Sequence, residues 1–297
     1  MKKIASIREF KQTYENWPRV LYNLFRNKSP ISVHIKNDNF LELPIELVSF
    51  LKELRKQQPD SFQNGQFNFE ASTGIFTFKY SGQFVNIQFY KNNELNGEFS
   101  SFLGDYVFLE PLESNIVIDI GANIADSSIW FALKGASYVI ALEPYKYNYE
   151  MAMENLKINN LTEKIKMIEG GYGTDNEIEV DTGSHGIGAV LAESKGGNKI
   201  RVMSLKTILD KFVEKSNVDI LLKMDCEGCE YNLLTEEADT LKMFKKIIIE
   251  YHYGYENLIA KLKECNFDVK YTEPRKWYDK DNERHLVQGY IYAKQIN

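Results

Sequence analysis

One acidic side chain lies within a short apolar segment of the sequence, and another lies directly after a second such segment. Asp119 lies within the segment Ile116–Ile120, which Gly121 follows, and Glu143 comes directly after residues 138–142. Ligands of open parallel sheets bind beyond the carboxyl ends of the strands, where an acid can accept hydrogen bonds from ribose hydroxyls. The pattern therefore predicts a nucleoside-containing cofactor at this edge. Asp119 and Gly121 could instead only shape a strand-to-helix turn.

The turn after the first segment distinguishes between two kinds of cofactor. A dinucleotide requires G-x-G-x-x-G so that bare backbone can approach a pyrophosphate, but Asn123 and Asp126 occupy the positions of the second and third glycines. The carboxylates of Asp119 and Asp126 would also repel a diphosphate. A cofactor with cationic ammonium and sulfonium groups and no phosphate suits this turn, and S-adenosylmethionine is such a cofactor. The residues predicted to bind it here are Asp119, Gly121, Ala122, Asn123, Glu143 and Pro144.

A glycine-rich stretch follows the third apolar segment, residues 165–168. In residues 169–173 the missing side chains would allow adenine to lie against the backbone, so Glu169 and Gly170 are added to the predicted cofactor site. A flexible turn is the alternative interpretation. His185, in the glycine-rich stretch 182–188, could reach a substrate but is predicted to be a solvated loop histidine.

Polar side chains that could act as acids or bases follow two later apolar segments. Asp225 and Glu227 come after the first segment and His252 after the second, so all three are expected at the carboxyl edge of the sheet. A hydroxyl is a poor nucleophile, and a nearby base accelerates its reaction by about 10²–10⁴-fold. These three are the predicted catalytic residues, with Asp225 also expected to contact the cofactor. Lys223 is predicted to hold a carboxylate or to orient the acceptor.

Each of these side chains has an alternative role. Asp225 could only contact the methionine portion of the cofactor, Glu227 could cap the following helix, and His252 could be a buried structural histidine. The same three side chains could also bind a divalent ion that lowers the pKa of an acceptor hydroxyl. The sequence alone assigns no metal.

The chain has three cysteines, Cys226, Cys229 and Cys265. A sparse and odd number is not typical of a disulfide framework and favours a reducing compartment, so a cytoplasmic protein is expected. Cys226 and Cys229 have C-x-x-C spacing, but the sequence contains no second such pair for a zinc site. Neither metal nor redox chemistry is therefore assigned to these thiols.

The composition is that of a globular protein with a negative net charge. Of 297 residues, 43% are hydrophobic, and 42 acidic residues outnumber 36 basic ones to give a net charge of −6. Proteins that bind nucleic acid usually carry a basic surface, which makes nucleic acid an unfavoured partner. No apolar run in the sequence is long enough for a membrane-spanning helix.

The hydrophobic pattern divides the chain into residues 1–103 and 104–297. In the first region, helical spacing near 20–25 and 43–54 precedes period-two alternation over 76–80 and 85–89. This predicts an α+β region of helices and an antiparallel hairpin, which would cover the site or select substrate.

The second region alternates short apolar segments with helical patterns. Such alternation predicts βαβ units and a parallel sheet. The last two apolar segments, 267–271 and 289–293, have no helical pattern between them. They are predicted to form an antiparallel pair that closes a seven-stranded α/β sheet.

The motifs resemble those of a known enzyme class. Residues 117–123 (VIDIGAN) and 141–144 (ALEP) look like the first two motifs of class I S-adenosylmethionine-dependent methyltransferases. Residues 155–161 resemble the N-L-x-x-N segment that ends the second helix in many of these enzymes. Residues 222–230 (LKMDCEGCE) are similar to the K-x-D-x-E-G signature of FkbM-type methyltransferases. The likeness runs from about residue 104 to residue 251.

The resemblance implies a Rossmann-like class I methyltransferase sheet and methylation of a hydroxyl, often on a sugar or natural product. An RNA methyltransferase is the alternative within the same chemistry, but the N/D-P-P-Y/F loop typical of base amino-group methylation is absent. A non-catalytic module that binds an adenosyl ligand or a partner protein is a further alternative. Such a module would keep Asp119 and Glu143 but would need no acids at positions 225 and 227. The acceptor and the oligomeric state do not follow from the resemblance.

Overall fold

The computed structural model describes residues 7–57, 67–91, 94–97, 99–180, 198–213, 218–279 and 284–296. Contacts divide the chain into two compact units, Met1–Gly104 and Asp105–Asn297. His185 and its glycine-rich stretch lie outside the described residues. No helix within the described ranges has the length and apolarity needed to cross a bilayer.

The first unit is α+β. Its elements are α1 (Ile7–Thr13), α2 (Trp17–Phe25), β1 (Ile31–His34), β2 (Phe40–Leu43), α3 (Ile45–Gln57), β3 (Asn68–Glu70), β4 (Ile75–Tyr80), β5 (Gln83–Gln88), β6 (Tyr90–Lys91) and β7 (Glu94–Leu95). Strands β1 and β2 pair, strands β3 to β5 form a three-stranded sheet, and β6 pairs with β7. Leu43, expected in a helix, ends β2 instead because it pairs with Ile31 of β1.

The predicted hairpin of the first unit is confirmed. Strands β4 and β5 run antiparallel, and Phe76, Phe78, Val85 and Ile87 are all buried. Successive side chains in a strand alternate between its two faces, so these four residues share the apolar face. Phe50 of α3 packs edge-on against Phe78, with 5.4 Å between the ring centroids.

The second unit alternates strands and helices. Its elements are β8 (Ile116–Ile120), α4 (Asp126–Leu133), β9 (Tyr138–Glu143), α5 (Lys146–Ile158), β10 (Ile165–Tyr172), β11 (Asn176–Val180), β12 (Asn198–Met203), α6 (Leu205–Phe212), β13 (Ile220–Met224), α7 (Ala238–Leu241), β14 (Phe244–Tyr251), α8 (Glu256–Glu264), β15 (Phe267–Tyr271), β16 (Arg275–Asp279) and β17 (Arg284–Gln295). A 3₁₀ segment, Cys229–Thr235, follows β13.

The sheet of the second unit confirms the predicted α/β fold. Its strand order is β11-β12-β10-β9-β8-β13-β14-β17-β15, and β16 pairs with β17. Strands β12, β10, β9, β8, β13 and β14 are mutually parallel, so their carboxyl ends lie at one edge. Every residue of β8 and β13 is buried, as expected of strands that are covered on both faces.

The antiparallel closure of the sheet is also confirmed. Strand β17 runs antiparallel to both β14 and β15. It begins at Arg284, earlier than predicted, because its first half pairs with β16. The charged sequence of this stretch gave no sign of β16, since a strand exposed on both faces lacks the apolar alternation that marks a half-buried one.

The glycine-rich stretch after residue 168 is largely part of a strand, which contradicts the alternative interpretation of a flexible turn there. Strand β10 continues to Tyr172 and pairs with β12, a strand that was not predicted. A Cβ at Gly170 would lie 2.8 Å from the carbonyl oxygen of Arg201. The close approach of β12 therefore accounts for the glycine without any adenine.

Candidate active site

The turn after β8 lies directly against the chain that follows β13. Gly121 has a φ of +76°, and a Cβ on it would lie 1.8 Å from the carbonyl oxygen of Asp225. The Asp225 amide donates a hydrogen bond to the carbonyl of Ile120 at 3.0 Å. Glycine is required here because the left-handed backbone and the close approach both exclude a side chain. The predicted cofactor turn and the predicted catalytic acid are thus brought together.

A buried ion pair joins β8 to β13. Lys223 Nζ lies 2.9 Å from Asp119 Oδ1, and both side chains are almost wholly inaccessible to solvent. The other Asp119 oxygen accepts hydrogen bonds from the hydroxyls of Ser127 and Ser128, each at 2.6 Å. Burial lowers the pKa of Lys223, but the neighbouring carboxylates, Asp119 foremost, outweigh burial and raise it.

The structure gives Asp119 a partner other than the predicted cofactor and gives Lys223 the first of its two predicted roles. Asp119 was expected to contact the cofactor, but both of its oxygens are engaged by Lys223 and by α4. Lys223 was expected to hold a carboxylate or to orient the acceptor, and it holds Asp119. Its Nζ also donates to the carbonyl of Gly121 at 2.8 Å. The pair therefore ties the predicted cofactor turn to β13.

Glu143 ends β9 and supports the same turn. Its Oε2 accepts a hydrogen bond from the Asn123 amide at 3.0 Å, and its Oε1 accepts from the Tyr145 amide at 3.0 Å and from Asn148 Nδ2 at 3.3 Å. Burial raises the pKa of Glu143 to about 7, against the opposing effect of these hydrogen bonds. A carboxylate has about four lone-pair sites, so these three bonds leave room for a ligand hydroxyl.

We expect Glu143→Gln to make the stability of the protein less dependent on pH. The pKa of Glu143 rises from an ordinary 4.5 to about 7 on folding. Its stabilising contribution is therefore complete below pH 4.5 and is lost as the pH rises through 7. This shift is equivalent to about 3 kcal/mol. Urea unfolding at about pH 5 and pH 8 should show a pH-dependent difference that is smaller in the variant by roughly 2–3 kcal/mol.

The control for this measurement is Glu154→Gln, which removes an exposed carboxylate from α5. It should retain the pH dependence of the unmodified protein. An unchanged pH dependence in Glu143→Gln would contradict the raised pKa. A stability difference between this variant and the unmodified protein that is the same at both pH values would be such a result, because it reports altered hydrogen bonding rather than titration.

The turn between β8 and α4 has an unusual backbone that other residues hold in place. Asn123 and Ala125 both have left-handed φ values, 47° and 66°, which are costly for residues other than glycine. Asn155 of α5 is fully buried and donates to the carbonyl of Ile124 at 2.9 Å. Asn123 Oδ1 is buried and has no hydrogen-bond partner within the described parts of the chain.

A cluster of carboxylates surrounds His252 at the ends of β13 and β14. His252 Nε2 lies 3.5 Å from Glu227 Oε1 and 3.8 Å from Asp225 Oδ1. On the other side of the ring, Nδ1 lies 3.0 Å from Glu230 Oε1, which also accepts the His252 amide at 3.0 Å. The three residues predicted to be catalytic are therefore brought together.

Arg284 of β17 holds one member of this cluster. Its Nη2 donates to Glu227 Oε2 at 2.7 Å, its Nε to Asp279 Oδ2 at 3.0 Å, and its Nη1 to the Tyr253 hydroxyl at 3.1 Å. Arg284 thus bridges Glu227 to the β16–β17 hairpin. The planar guanidinium suits such a role because its N–H donors point in fixed directions.

The cluster perturbs the pKa values of its members. Burial raises the pKa of Asp225, against the opposing effect of Lys223 and His252. Burial also tends to raise the pKa of Glu227, but His252 and Arg284 outweigh it, and the pKa is lowered. Burial lowers the pKa of His252, but Glu227 and Glu230 raise it to about 11. Without a bound cation, the imidazole is therefore protonated at neutral pH and is not itself a base.

Cys226 and Cys229 form a disulfide bond. The expectation of reduced cysteines does not hold for this pair. The intervening Glu227 and Gly228 both have positive φ values, which turn the chain so that the cysteine Cα atoms lie 5.4 Å apart, within the usual range. Cys265 is a buried free thiol. Glu227 lies in the short loop that the disulfide closes.

The remaining predicted cofactor residues lie around Glu143. Ala122 is buried, and its amide donates to the carbonyl of Leu142 at 3.0 Å. Pro144 directly follows Glu143 and is half-buried. Glu169 is exposed on β10 and is in register with Glu143 of β9. Gly170 pairs with Arg201 of β12, and its predicted cofactor contact stays a prediction.

Two residues of the cluster were missed by sequence reasoning. Glu230 lies two residues after the K-x-D-x-E-G signature, so its polarity was visible, but only the structure shows that it is fully buried and bonded to His252. Arg284 lies in a charged stretch that resembles any solvated segment. No local signal distinguishes it, because its contact with Glu227 depends on the β16–β17 pairing.

Comparison with protein families gives a match over the same region. The family model described as "Methyltransferase FkbM domain" matches residues 119–269. The chain belongs to this FkbM methyltransferase family. It is accordingly a methyltransferase, with S-adenosylmethionine as its cofactor. The comparison with curated proteins found no match.

Several solved structures align with this FkbM chain at low sequence identity and with TM-scores below 0.5. An FkbM methyltransferase from Methylobacillus flagellatus is 17% identical, with 61% of this chain and 43% of that chain covered and a TM-score of 0.40. TrmK of M. capricolum, in complex with S-adenosylhomocysteine, is 15% identical, with 68% and 69% covered and a TM-score of 0.38. A ribosomal protein L11 methylase from Lactobacillus delbrueckii subsp. bulgaricus is 12% identical, with 68% and 81% covered and a TM-score of 0.39.

Proposed function

We propose that this methyltransferase transfers a methyl group to a hydroxyl of a sugar or another small molecule. The observation that supports the proposal is the cluster of Asp225, Glu227 and His252 beside the turn that begins at Gly121. The backbone contact between Gly121 and Asp225 means that the cofactor turn and the acid–base groups share one edge of the sheet. A hydroxyl acceptor needs such groups, because it must lose a proton as the new bond forms.

The residues of the first turn fit S-adenosylmethionine. Asn123 Oδ1 is a buried acceptor without a partner in the described residues, and a ligand donor would satisfy it. Glu143 retains a lone pair that suits a ribose hydroxyl. When bound, S-adenosylmethionine supplies a methyl group on a positively charged sulfonium. The protein then has to orient the acceptor and remove its proton.

Asp225 is the group that we assign to proton removal. Its side chain is 26% exposed, against 1% for His252, so it can meet an acceptor from solvent. Glu227 is 19% exposed, but Arg284 occupies one of its oxygens. Because Asp225 Oδ1 is directed towards His252, Oδ2 is left to accept the hydroxyl proton.

The other charged groups position Asp225 and the acceptor. Lys223 and Asp119 anchor the strand that precedes Asp225, and Arg284 restrains Glu227 beside it. Holding the reacting atoms close and aligned can supply up to about 7–11 kcal/mol of the barrier reduction. A preorganised edge of this kind suits in-line methyl transfer, in which the protein forms no covalent bond to the substrate.

The acceptor class can be tested by a cofactor titration and an acceptor screen. Calorimetry with S-adenosylhomocysteine should show binding, and Glu143→Ala should weaken it. Incubation with labelled S-adenosylmethionine and pools of sugars, other small-molecule alcohols, amines and RNA should then label a hydroxyl compound as a methyl ether. Labelling confined to RNA or to amines would overturn the proposal.

A further inference from the structure

The imidazole of His252 has one nitrogen in hydrogen-bond contact and one without. Nδ1 lies 3.0 Å from Glu230 Oε1, an ordinary hydrogen-bond distance. Nε2 is buried and has no hydrogen-bond partner among the described residues. A buried polar atom without a partner is costly and rare. This nitrogen therefore indicates a missing ligand.

Two carboxylate oxygens face this nitrogen across a gap. Asp225 Oδ1 and Glu227 Oε1 lie 3.8 Å and 3.5 Å from Nε2, within reach of its charge but beyond the usual length of a hydrogen bond. One donor atom from each of the three residues lies within 4.8 Å of the others. An ion about 2.1 Å from each donor spaces neighbouring donors roughly 3.0 Å apart in octahedral geometry and roughly 3.4 Å apart in tetrahedral geometry. Small shifts of these side chains would therefore bring all three donor atoms to coordination distance of one ion.

The groups behind these donors match the surroundings of bound metals. A metal-binding histidine usually donates its other ring N–H to a carboxylate, and metal-binding carboxylates are themselves hydrogen-bonded. Glu230 accepts from His252 Nδ1, and Arg284 donates to the second oxygen of Glu227. Asp225 is fixed through its backbone by the contact with Gly121.

The charges of the cluster also favour a cation. Lys223 is neutralised by Asp119, and Arg284 contacts Asp279 as well as Glu227. The charge of Lys223 is balanced by Asp119, and the charge of Arg284 is balanced by Asp279. Three further carboxylates then remain around His252. These are Asp225, Glu227 and Glu230. A divalent ion would compensate most of this charge.

We propose that Asp225, Glu227 and His252 bind a divalent metal ion that accepts both carboxylate and imidazole ligands. Mn²⁺ is the representative of this class, because carboxylates suit Mg²⁺ and Mn²⁺ while imidazole favours transition metals. Three protein ligands leave coordination positions open for a substrate oxygen. Imidazole binds a metal in its neutral form, so the ion takes the place of the proton at Nε2.

The consequence for catalysis rests on the proposed function. A hydroxyl bound to the ion would lose its proton more easily, because a metal lowers the pKa of a coordinated oxygen group. Asp225 Oδ2 would accept that proton while Oδ1 remains on the ion. The hydroxyl oxygen would then form its bond to the methyl group, and the electrons of the broken bond would stay on the cofactor sulfur.

The metal site is tested by titrating the full chain with Mn²⁺ alone, without cofactor or acceptor. Calorimetry and the loss of the free-Mn²⁺ electron paramagnetic resonance signal should both show one saturable site. Glu227→Gln and His252→Gln should each weaken Mn²⁺ binding by at least about tenfold. Glu236→Gln is the matched control, because it alters a buried carboxylate outside the cluster, and it should bind Mn²⁺ as the unmodified chain does.

The result that overturns the metal site is the absence of saturable Mn²⁺ binding to the unmodified protein. This measurement decides the matter even where a variant fails to fold. Equal affinity in folded Glu227→Gln and His252→Gln would also overturn it. Stoichiometric binding without any hydroxyl methylation would leave the metal site standing and overturn the proposed acceptor. Methyl-ether formation by a protein that binds no Mn²⁺ would leave the proposed acceptor standing and overturn the metal site.

Discussion

Asp225→Asn should lower kcat for methyl transfer by about 10²–10⁴-fold, the usual effect of removing a general base. The amide matches the carboxylate in size, and the backbone bond from Asp225 to Ile120 does not involve the side chain. The variant should therefore fold and should bind S-adenosylhomocysteine with little change. Single-turnover kinetics, calorimetry and circular dichroism would measure these three properties separately.

Asp239→Asn provides the matched control for Asp225→Asn. It makes the same chemical change at a side chain that is 94% exposed, and it should leave kcat unchanged. Full activity of Asp225→Asn would exclude Asp225 as the base. Recovery of activity at high Mn²⁺ would instead assign Asp225 to metal binding, because the loss would then be one of ion affinity rather than of proton acceptance.

Lys223→Met should destabilise the second unit by roughly 3–5 kcal/mol, the usual cost of leaving a buried charge without its partner. Asp119 is fully buried, and Lys223 is its counter-ion at 2.9 Å. The two serine hydroxyls that also bond Asp119 carry no net charge and cannot replace the ammonium group. The free energy of unfolding in urea would measure the loss.

A double variant separates the buried charge from other effects of the methionine. Asp119→Asn combined with Lys223→Met removes both charges, so it should be more stable than Lys223→Met alone. Lys157→Met breaks an exposed pair with Glu154 and should scarcely alter the free energy of unfolding. If Lys223→Met proved as harmless as Lys157→Met, the assigned role of the ion pair would be wrong.

Much of the fold follows from local patterns in the sequence. The alternation of apolar and polar residues over 76–80 and 85–89 predicted the apolar face of the hairpin in the first unit, and that face is buried. The nearly continuous apolar residues of β8 and β13 indicated central strands, because a strand covered on both faces needs apolar side chains on both. Strands β11, β12 and β16 were missed. Only β16 lacks the apolar alternation on which a sequence prediction depends. Ile178 and Val180 of β11, and Ile200 and Val202 of β12, do alternate with polar residues, over segments too short to have been recognised.

The sequence alone determined the residue types at the strand ends: Gly121, Glu143, Asp225, Glu227 and His252. That they share one edge follows from parallel strands, whose carboxyl ends point the same way. Tertiary structure alone decided their partners. The pairing of Asp119 with Lys223, of His252 with Glu230 and of Glu227 with Arg284 depends on strand order and register. Those are set by packing across the whole sheet, whereas sequence periodicity reports only whether a side chain is buried.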